Sequence, residues 1–258
     1  MLKPDRVIAV RNTKIVYRDG NRCIKIFKKG HAKTDIIAEA LNQAMMENTP
    51  GLLVPKILEV TTVDEKWAII SEYIRGKPLS RLMEEYPERK NEYLDLFIDL
   101  QLLIHSQTAH TLNELHEQTH REIDETSLGE EVKELLHKHL DTLPVKNSLC
   151  HGDFEPSNII IASGSDPYVT DWSHVRRGDP DEDAARSYLL FWLDGNIGTA
   201  EKYLEKYCSK TGNNKNNILR WIPLVAASKY VKGNEQQREF LLSWINKVNN
   251  SETKGETQ

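Results

Sequence analysis

The stretch His151-Gly152-Asp153-Phe154-Glu155-Pro156-Ser157-Asn158, followed by Asp171-Trp172, decides how the rest of the chain is read. Between its two parts lie the β-like segments 159–162 and 168–170, a pattern that predicts a hairpin joining Asn158 to Asp171. Transfer of a phosphoryl group to a hydroxyl asks for few side chains. One carboxylate must accept or orient the hydroxyl proton, and oxygen ligands must hold Mg²⁺ against the phosphates. Asp153 can supply the first function. The amide oxygen of Asn158 and the carboxylate of Asp171 can supply the second.

Upstream, the first 74 residues read mainly as strands. Segments 6–10, 14–18 and 22–27 alternate in polarity, and Asp19-Gly20-Asn21 is a hairpin turn signal. A helix follows, capped by Thr34 or Asp35, with Ile36, Ile37, Ala40, Leu41 and Ala44 expected on its inner face. Pro50-Gly51 ends it, and segments 57–60 and 67–74 form a second strand pair. Lys25 lies inside the apolar run Cys23-Ile24-Lys25-Ile26-Phe27. A buried ammonium needs a partner, and Glu39 on the following helix is the natural one. Arg75-Gly76-Lys77-Pro78 breaks the pattern and sets a boundary. Residues 75–250 then read as mainly helical. Tyr93, Leu96, Phe97, Leu100, Leu103 and Ile104 form one stripe, Ser127 with Glu130 reads as a capping box, and three more helices follow residue 180. Residues 251–258 are polar and read as a disordered tail.

With these elements in order, the motif resembles the catalytic signature of the aminoglycoside phosphotransferase and choline kinase family. Its members carry His-Gly-Asp or His-Asn-Asp, then Asn, then Asp-Trp or Asp-Phe. The resemblance is sharp over residues 151–183 and general elsewhere. It implies an α+β, protein-kinase-like two-lobed fold, with a nucleotide-binding lobe at 1–74 and a catalytic, acceptor-binding lobe at 75–250. It implies ATP or GTP and Mg²⁺ as cofactors, with Asp153 as the base and Asn158 and Asp171 as metal ligands. His151 and Asp183 would brace the catalytic loop. Lys25, held by Glu39, would contact the α/β-phosphates. The adenine hinge would be Ser71-Glu72-Tyr73-Ile74, acting through backbone groups of Glu72 and Ile74. Two features depart from relatives. No Gly-x-Gly-x-x-Gly exists, so the turn Arg11-Asn12-Thr13 is left either to meet phosphate, through Arg11, Asn12 or Thr13, or to stand as an exposed turn. Ser173 stands where choline-kinase-like members often carry glutamate.

The acceptor is expected to be a small molecule, aminoglycoside-like or amino-alcohol-like. A peptide substrate is not expected, because Gly178-Asp179-Pro180 follows Asp171 at once and no Ala-Pro-Glu closes a peptide platform. Tyr188, Phe191, Trp192 and Trp221, near Asp181 and Glu182, could hold an amine, although aromatics at helical spacing are more often core. The charges of His174, Arg176 and Arg177 would oppose a cationic acceptor if they faced it. The 258 residues carry a net charge of −5, with +3 in residues 1–73 and −8 in the remainder. That balance gives no reason to expect a nucleic-acid partner. No apolar run is long enough to span a bilayer, so no membrane partner is expected. Three scattered cysteines and the absence of an apolar leader suit the cytoplasm. Two competing readings remain. His116-Glu117-Gln118-Thr119-His120 matches the zinc-protease pattern His-Glu-x-x-His, though its flanks are polar. A kinase-shaped binding or immunity protein without turnover is the other.

Overall fold

The computed structural model describes residues 6–11, 13–108, 112–232 and 235–248. In chain order the elements are β1 (Arg6–Val10), β2 (Lys14–Asp19), β3 (Arg22–Phe27), α1 (Lys33–Met46), β4 (Ile57–Val63), β5 (Lys66–Glu72), β6 (Gly76–Pro78) and α2 (Leu79–Glu85). Then come α3 (Lys90–His105), α4 (Leu115–Asp124), α5 (Glu130–Asp141), β7 (Ser148–Cys150), β8 (Ile159–Ala162), β9 (Pro167–Val169), β10 (Arg176–Gly178) and α6 (Pro180–Leu193). The last helices are α7 (Ile197–Thr211), α8 (Lys215–Leu219), α9 (Ile222–Lys232) and α10 (Glu235–Ile245). The expected tail 251–258 lies outside the described residues.

Two compact units result: residues 1–93 with 155–174, and residues 94–154 with 175–258. The sequence reading set one boundary at residue 74. In the structure β6 pairs with β8, Lys77 opposite Ile161, so the segment 76–78 and the later hairpin β8–β9 share a three-stranded sheet in the first unit. Pairing of segments more than eighty residues apart leaves no local trace in sequence. Gly76 is required there, because a Cβ on it would stand 2.2 Å from the Ile161 carbonyl oxygen.

The main sheet of the first unit is antiparallel, in the order β1-β2-β3-β5-β4. Period-two alternation divides its residues between two faces. Ile24, Ala68 and Ile70 cluster with Tyr17 and Ile26. Phe27 and Ile69 pack with Ile36 and Ala40 of α1. The buried face of α1 is Ile36, Glu39, Ala40, Gln43 and Met46, at i, i+3, i+4, i+7 and i+10. The expected face is corrected here: Ile37 and Leu41 are exposed. The helix starts after Ala32, with no side-chain cap, rather than at Thr34 or Asp35. The rotation matters, because it turns Glu39 inward.

The second unit is mainly helical. Phe97 on α3 packs at a tilt against Phe154 (ring centroids 4.6 Å) and edge-to-face against Phe191 (5.6 Å) and Tyr203 (5.7 Å). Burying one such ring contributes about 1.5–3 kcal/mol. Asp179 caps α6, accepting from the Asp181 N–H at 2.9 Å, with Pro180 at the first helical position. Residue 129, a glycine, precedes α5 without a side-chain cap, so the Ser127–Glu130 box is not formed. The reading also passed over α7, and merged α8 with α9 into one helix.

Candidate active site

In the first unit, the 3-10 turn Pro156–Asn158 leads into β8. Hairpin register pairs Ile159 with Val169. One step out, the Thr170 N–H donates to the Asn158 carbonyl at 2.8 Å and the Thr170 hydroxyl to the same oxygen at 3.0 Å. This closure sets Asn158 beside the start of the Asp171 segment. The Trp172 indole N–H donates to the Val169 carbonyl at 3.1 Å, burying the ring below the turn. Asp171 itself has φ +64°, a left-handed backbone that aspartate tolerates better than most residues. Such strain, on the order of 1 kcal/mol, persists where the surroundings over-determine it.

The Asp171 carboxylate meets two ammonium groups. Its Oδ1 lies 3.2 Å from Lys25 Nζ and 3.1 Å from Lys14 Nζ. The same two groups reach Glu39 Oε1 at 2.8 and 3.0 Å. Lys25 and Glu39 are therefore joined as the sequence suggested. Lys14 was not foreseen, yet register explains it. Lys14 pairs with Phe27 across β2 and β3, so it is the diagonal neighbour of Lys25 on one face. Burial works against every one of these charges, and the partners win. The Lys25 pKa is raised, desolvation being outweighed by Asp171 and Glu39. Glu39 and Asp171 are lowered, desolvation being outweighed by Lys25 and then Lys14. Ser173, at the family's variable position, donates to Asp171 Oδ1 at 3.4 Å.

Lys14, Lys25 and Asp171 line a cavity of about 170 Å³ together with Arg11, Val16, Cys23, Ser71, Glu72, Tyr73, Ile74, Ser157 and Asn158, and Glu39 holds the two lysines without itself lining it. The hinge segment is thus part of the same cavity. The Glu72 N–H already donates to the Lys56 carbonyl at 2.9 Å, which leaves the Glu72 carbonyl for ligand contact. The first hairpin turn is closed by the Arg11 N–H donating to the Lys14 carbonyl at 2.9 Å. Thr13 is not among the lining residues. Its carbonyl accepts from the Lys28 N–H, and Asn12 lies outside the described residues. Asn158 and Asp171 bring an amide oxygen and a carboxylate to one cavity, a hard-oxygen set that fits Mg²⁺.

In the second unit, His151-Gly152-Asp153 is held from below by Asp183, which is fully buried. Its Oδ1 accepts from the Gly152 N–H at 2.8 Å. Its Oδ2 accepts from the His151 N–H at 3.2 Å and faces His105 Nε2 at 3.0 Å. Desolvation would raise its pKa, but the His105 contact and these donors lower it. Gly152 has φ +78°, open to glycine at no cost. The Asp153 N–H donates to His151 Nδ1 at 3.3 Å, and Phe154 is pinned by the Ser187 hydroxyl on its carbonyl at 2.8 Å. A second unforeseen lysine appears here. Lys229 on α9 donates to Asp153 Oδ1 at 2.7 Å. Its only sequence signal is a lysine that follows the apolar run Ile222–Ala227 of the helix.

The acceptor candidates come out differently. Tyr188, Phe191 and Trp221 are buried core residues. Trp192 packs on Phe240 and Trp244. Arg176 is 1% exposed and paired with Glu182 at 2.8 Å, and Arg177 donates to Asn147, so these two guanidinium groups are engaged within the protein. Glu182 also takes Arg186 at 2.7 Å. The two histidines of the zinc-protease pattern face different partners: His116 meets Trp221 edge-on, and His120 stacks on His137. Glu122, beside Arg176 and Arg186, has its pKa held down at about 2, the arginines outweighing desolvation. A depressed carboxylate contributes stability above its unfolded pKa and loses it as pH falls. About 3 kcal/mol of stability should therefore disappear between pH 4.5 and 2. Urea unfolding at stepped pH should show this loss, and Glu122→Gln should flatten it.

Comparison with known proteins places this geometry. A family model described as the phosphotransferase enzyme family matches residues 9–215. No curated protein matches the chain. Among solved structures, a thermostable mutant of aminoglycoside phosphotransferase APH(4)-Ia, in ternary complex with ADP and hygromycin B, superposes with a TM-score of 0.69 at 14% identity. That match covers 95% of this chain and 93% of that one. LicA in complex with AMP gives 0.65 at 16% identity, over 96% and 92%. A choline/ethanolamine kinase family protein from Mesorhizobium loti gives 0.58 at 14%, over 95% and 85%. At these identities the likeness speaks for the fold, which is protein-kinase-like with a small antiparallel sheet followed by a mainly helical region. The match over residues 9–215, more than half of the sequence, goes further: the chain belongs to the phosphotransferase enzyme family.

Proposed function

We propose that the protein transfers the γ-phosphate of a nucleoside triphosphate, ATP or GTP, to a hydroxyl of a small aminoglycoside-like or amino-alcohol-like acceptor. The observation that carries this reading is that Lys14, Lys25 and Asp171, the two lysines held by Glu39, line the cavity that also holds Glu72, Tyr73, Ile74 and Asn158. The nucleotide base would lie against the Glu72 carbonyl and the Ile74 backbone. Lys25, positioned by Glu39, would take the α/β-phosphates. Asn158 and Asp171 would hold Mg²⁺, which when bound neutralises phosphate charge.

Asp153 would accept the proton of the attacking hydroxyl while the acceptor oxygen bonds to the γ-phosphorus and the bridging P–O bond to the diphosphate breaks. Lys229 fixes the orientation of that carboxylate. Asp183 fixes the backbone that carries it. ADP with hygromycin B in one relative, and AMP in another, support a nucleotide with a small polar acceptor.

The test is incubation with γ-labelled ATP or GTP, Mg²⁺ and a panel of aminoglycosides, macrolides, choline, ethanolamine and small sugars. Label should appear on a panel member, and chelation of Mg²⁺ should abolish it. No label transfer, together with nucleotide binding unaffected by Asp171→Ala, would instead make the protein a binding relative without turnover.

A further inference from the structure

We propose that Lys14 is a second phosphate-binding cation, acting beside Lys25 on the same cavity. This rests on the nucleotide reading above and extends it to a residue whose role that reading leaves unassigned.

Residues 6–19 contain no glycine, so each position of the first hairpin carries a side chain. A phosphate cradle built from backbone N–H groups needs a loop that lets the anion approach the main chain closely, and the Arg11 N–H at this turn is already used by the Lys14 carbonyl. Side-chain cations on the cavity are then the natural counter-charge for a polyphosphate.

Lys14 is the residue immediately after that turn. It is buried, and it lines the cavity beside Lys25 and Asp171. Its Nζ sits 5.8 Å from the Phe27 ring centroid, which steadies the stem. A single lysine facing Glu39 and Asp171 would leave the wall with one surplus negative charge, unsuited to an anion. Two lysines make it neutral. When Asp171 turns to a metal, Lys14, Lys25 and Glu39 together keep one positive charge for the phosphates. Both ammonium groups share the same two oxygens, so either can leave a carboxylate for a phosphate oxygen without stranding the other.

A purely structural strap would show the same contacts, so the experiment separates the two. Calorimetric affinities for adenosine, AMP and ADP are measured with Mg²⁺ for the wild type, Lys14→Met, Lys14→Gln and Lys14→Arg, alongside melting temperatures. A charge-assisted contact to phosphate implies a loss on the order of ten- to a hundredfold. The ratio of ADP to adenosine affinity should fall by about that factor in Lys14→Met and Lys14→Gln and return in Lys14→Arg, with adenosine affinity steady. An unchanged ratio, with only the melting temperature lowered, would make Lys14 a strap and overturn the proposal. Unfolding of every variant would do the same. A wild type that binds no adenine nucleotide would instead defeat the underlying reading, and that outcome is distinct.

Discussion

Replacing Asp153 by asparagine should lower kcat by about 10²- to 10⁴-fold, the usual contribution of a positioned general base. Asparagine keeps the shape and an oxygen that Lys229 can still donate to, at the position now 2.7 Å from Nζ. It removes only the capacity to take a proton. The backbone of the loop is held by Asp183 and His151, so the fold should survive the change. The nucleotide cavity is lined entirely by other residues. Affinity for ADP should accordingly stay within about twofold, because differential loss in the transition state leaves ground-state binding alone. Steady-state kinetics on the acceptor found by label transfer, paired with calorimetry of ADP, give both readings. Full kcat in Asp153→Asn would place the base elsewhere.

Asp183→Ala should be the most destabilising single change in the second unit. The carboxylate is wholly buried, and its removal strands the His151 and Gly152 N–H groups and His105 Nε2 in a site closed to water. Breaking a buried, hydrogen-bonded charge network in this way costs about 3–5 kcal/mol. For a chain of this size that corresponds to a melting-temperature drop of roughly 10 °C. Asp183→Asn should lose less, since it retains one acceptor oxygen. His105 also meets the Tyr207 hydroxyl at 3.1 Å, and Gln101 ties Ser187 to Tyr203 nearby, so the damage should spread along one network. Thermal unfolding followed by circular dichroism would show it. A drop under about 2 °C in Asp183→Ala would mean that solvent replaces the lost acceptor, and that the loop is not held as described.

Both predictions converge on the same division of labour. Residues proposed to meet the reacting groups, Asp153 and Asp171, keep part of their surface open. Residues that hold the backbone, such as Asp183 and His151, are sealed in. Substitution of the first kind should show in kcat, and of the second kind in stability.

The amino-acid sequence by itself determined the chemistry-bearing motif, the hairpin between Asn158 and Asp171, the succession of strands, one helix and strands at the start of the chain, and the pairing of Lys25 with Glu39. Each is a short-range signal: turn residues, period-two alternation, and a charge that must be neutralised where apolar neighbours surround it. What only the tertiary structure decided is long-range or rotational. Lys14 joins the cluster because the register of β2 on β3 puts it diagonally across from Lys25. Lys229 reaches Asp153 from seventy-six residues away. Arg176 looked like a charge near the acceptor and is instead buried against Glu182, because a folded core gave it partners that its sequence neighbours do not reveal. Local pattern fixes how a segment is built. Which side chains then share a cavity depends on pairings between distant segments, and no local rule encodes those.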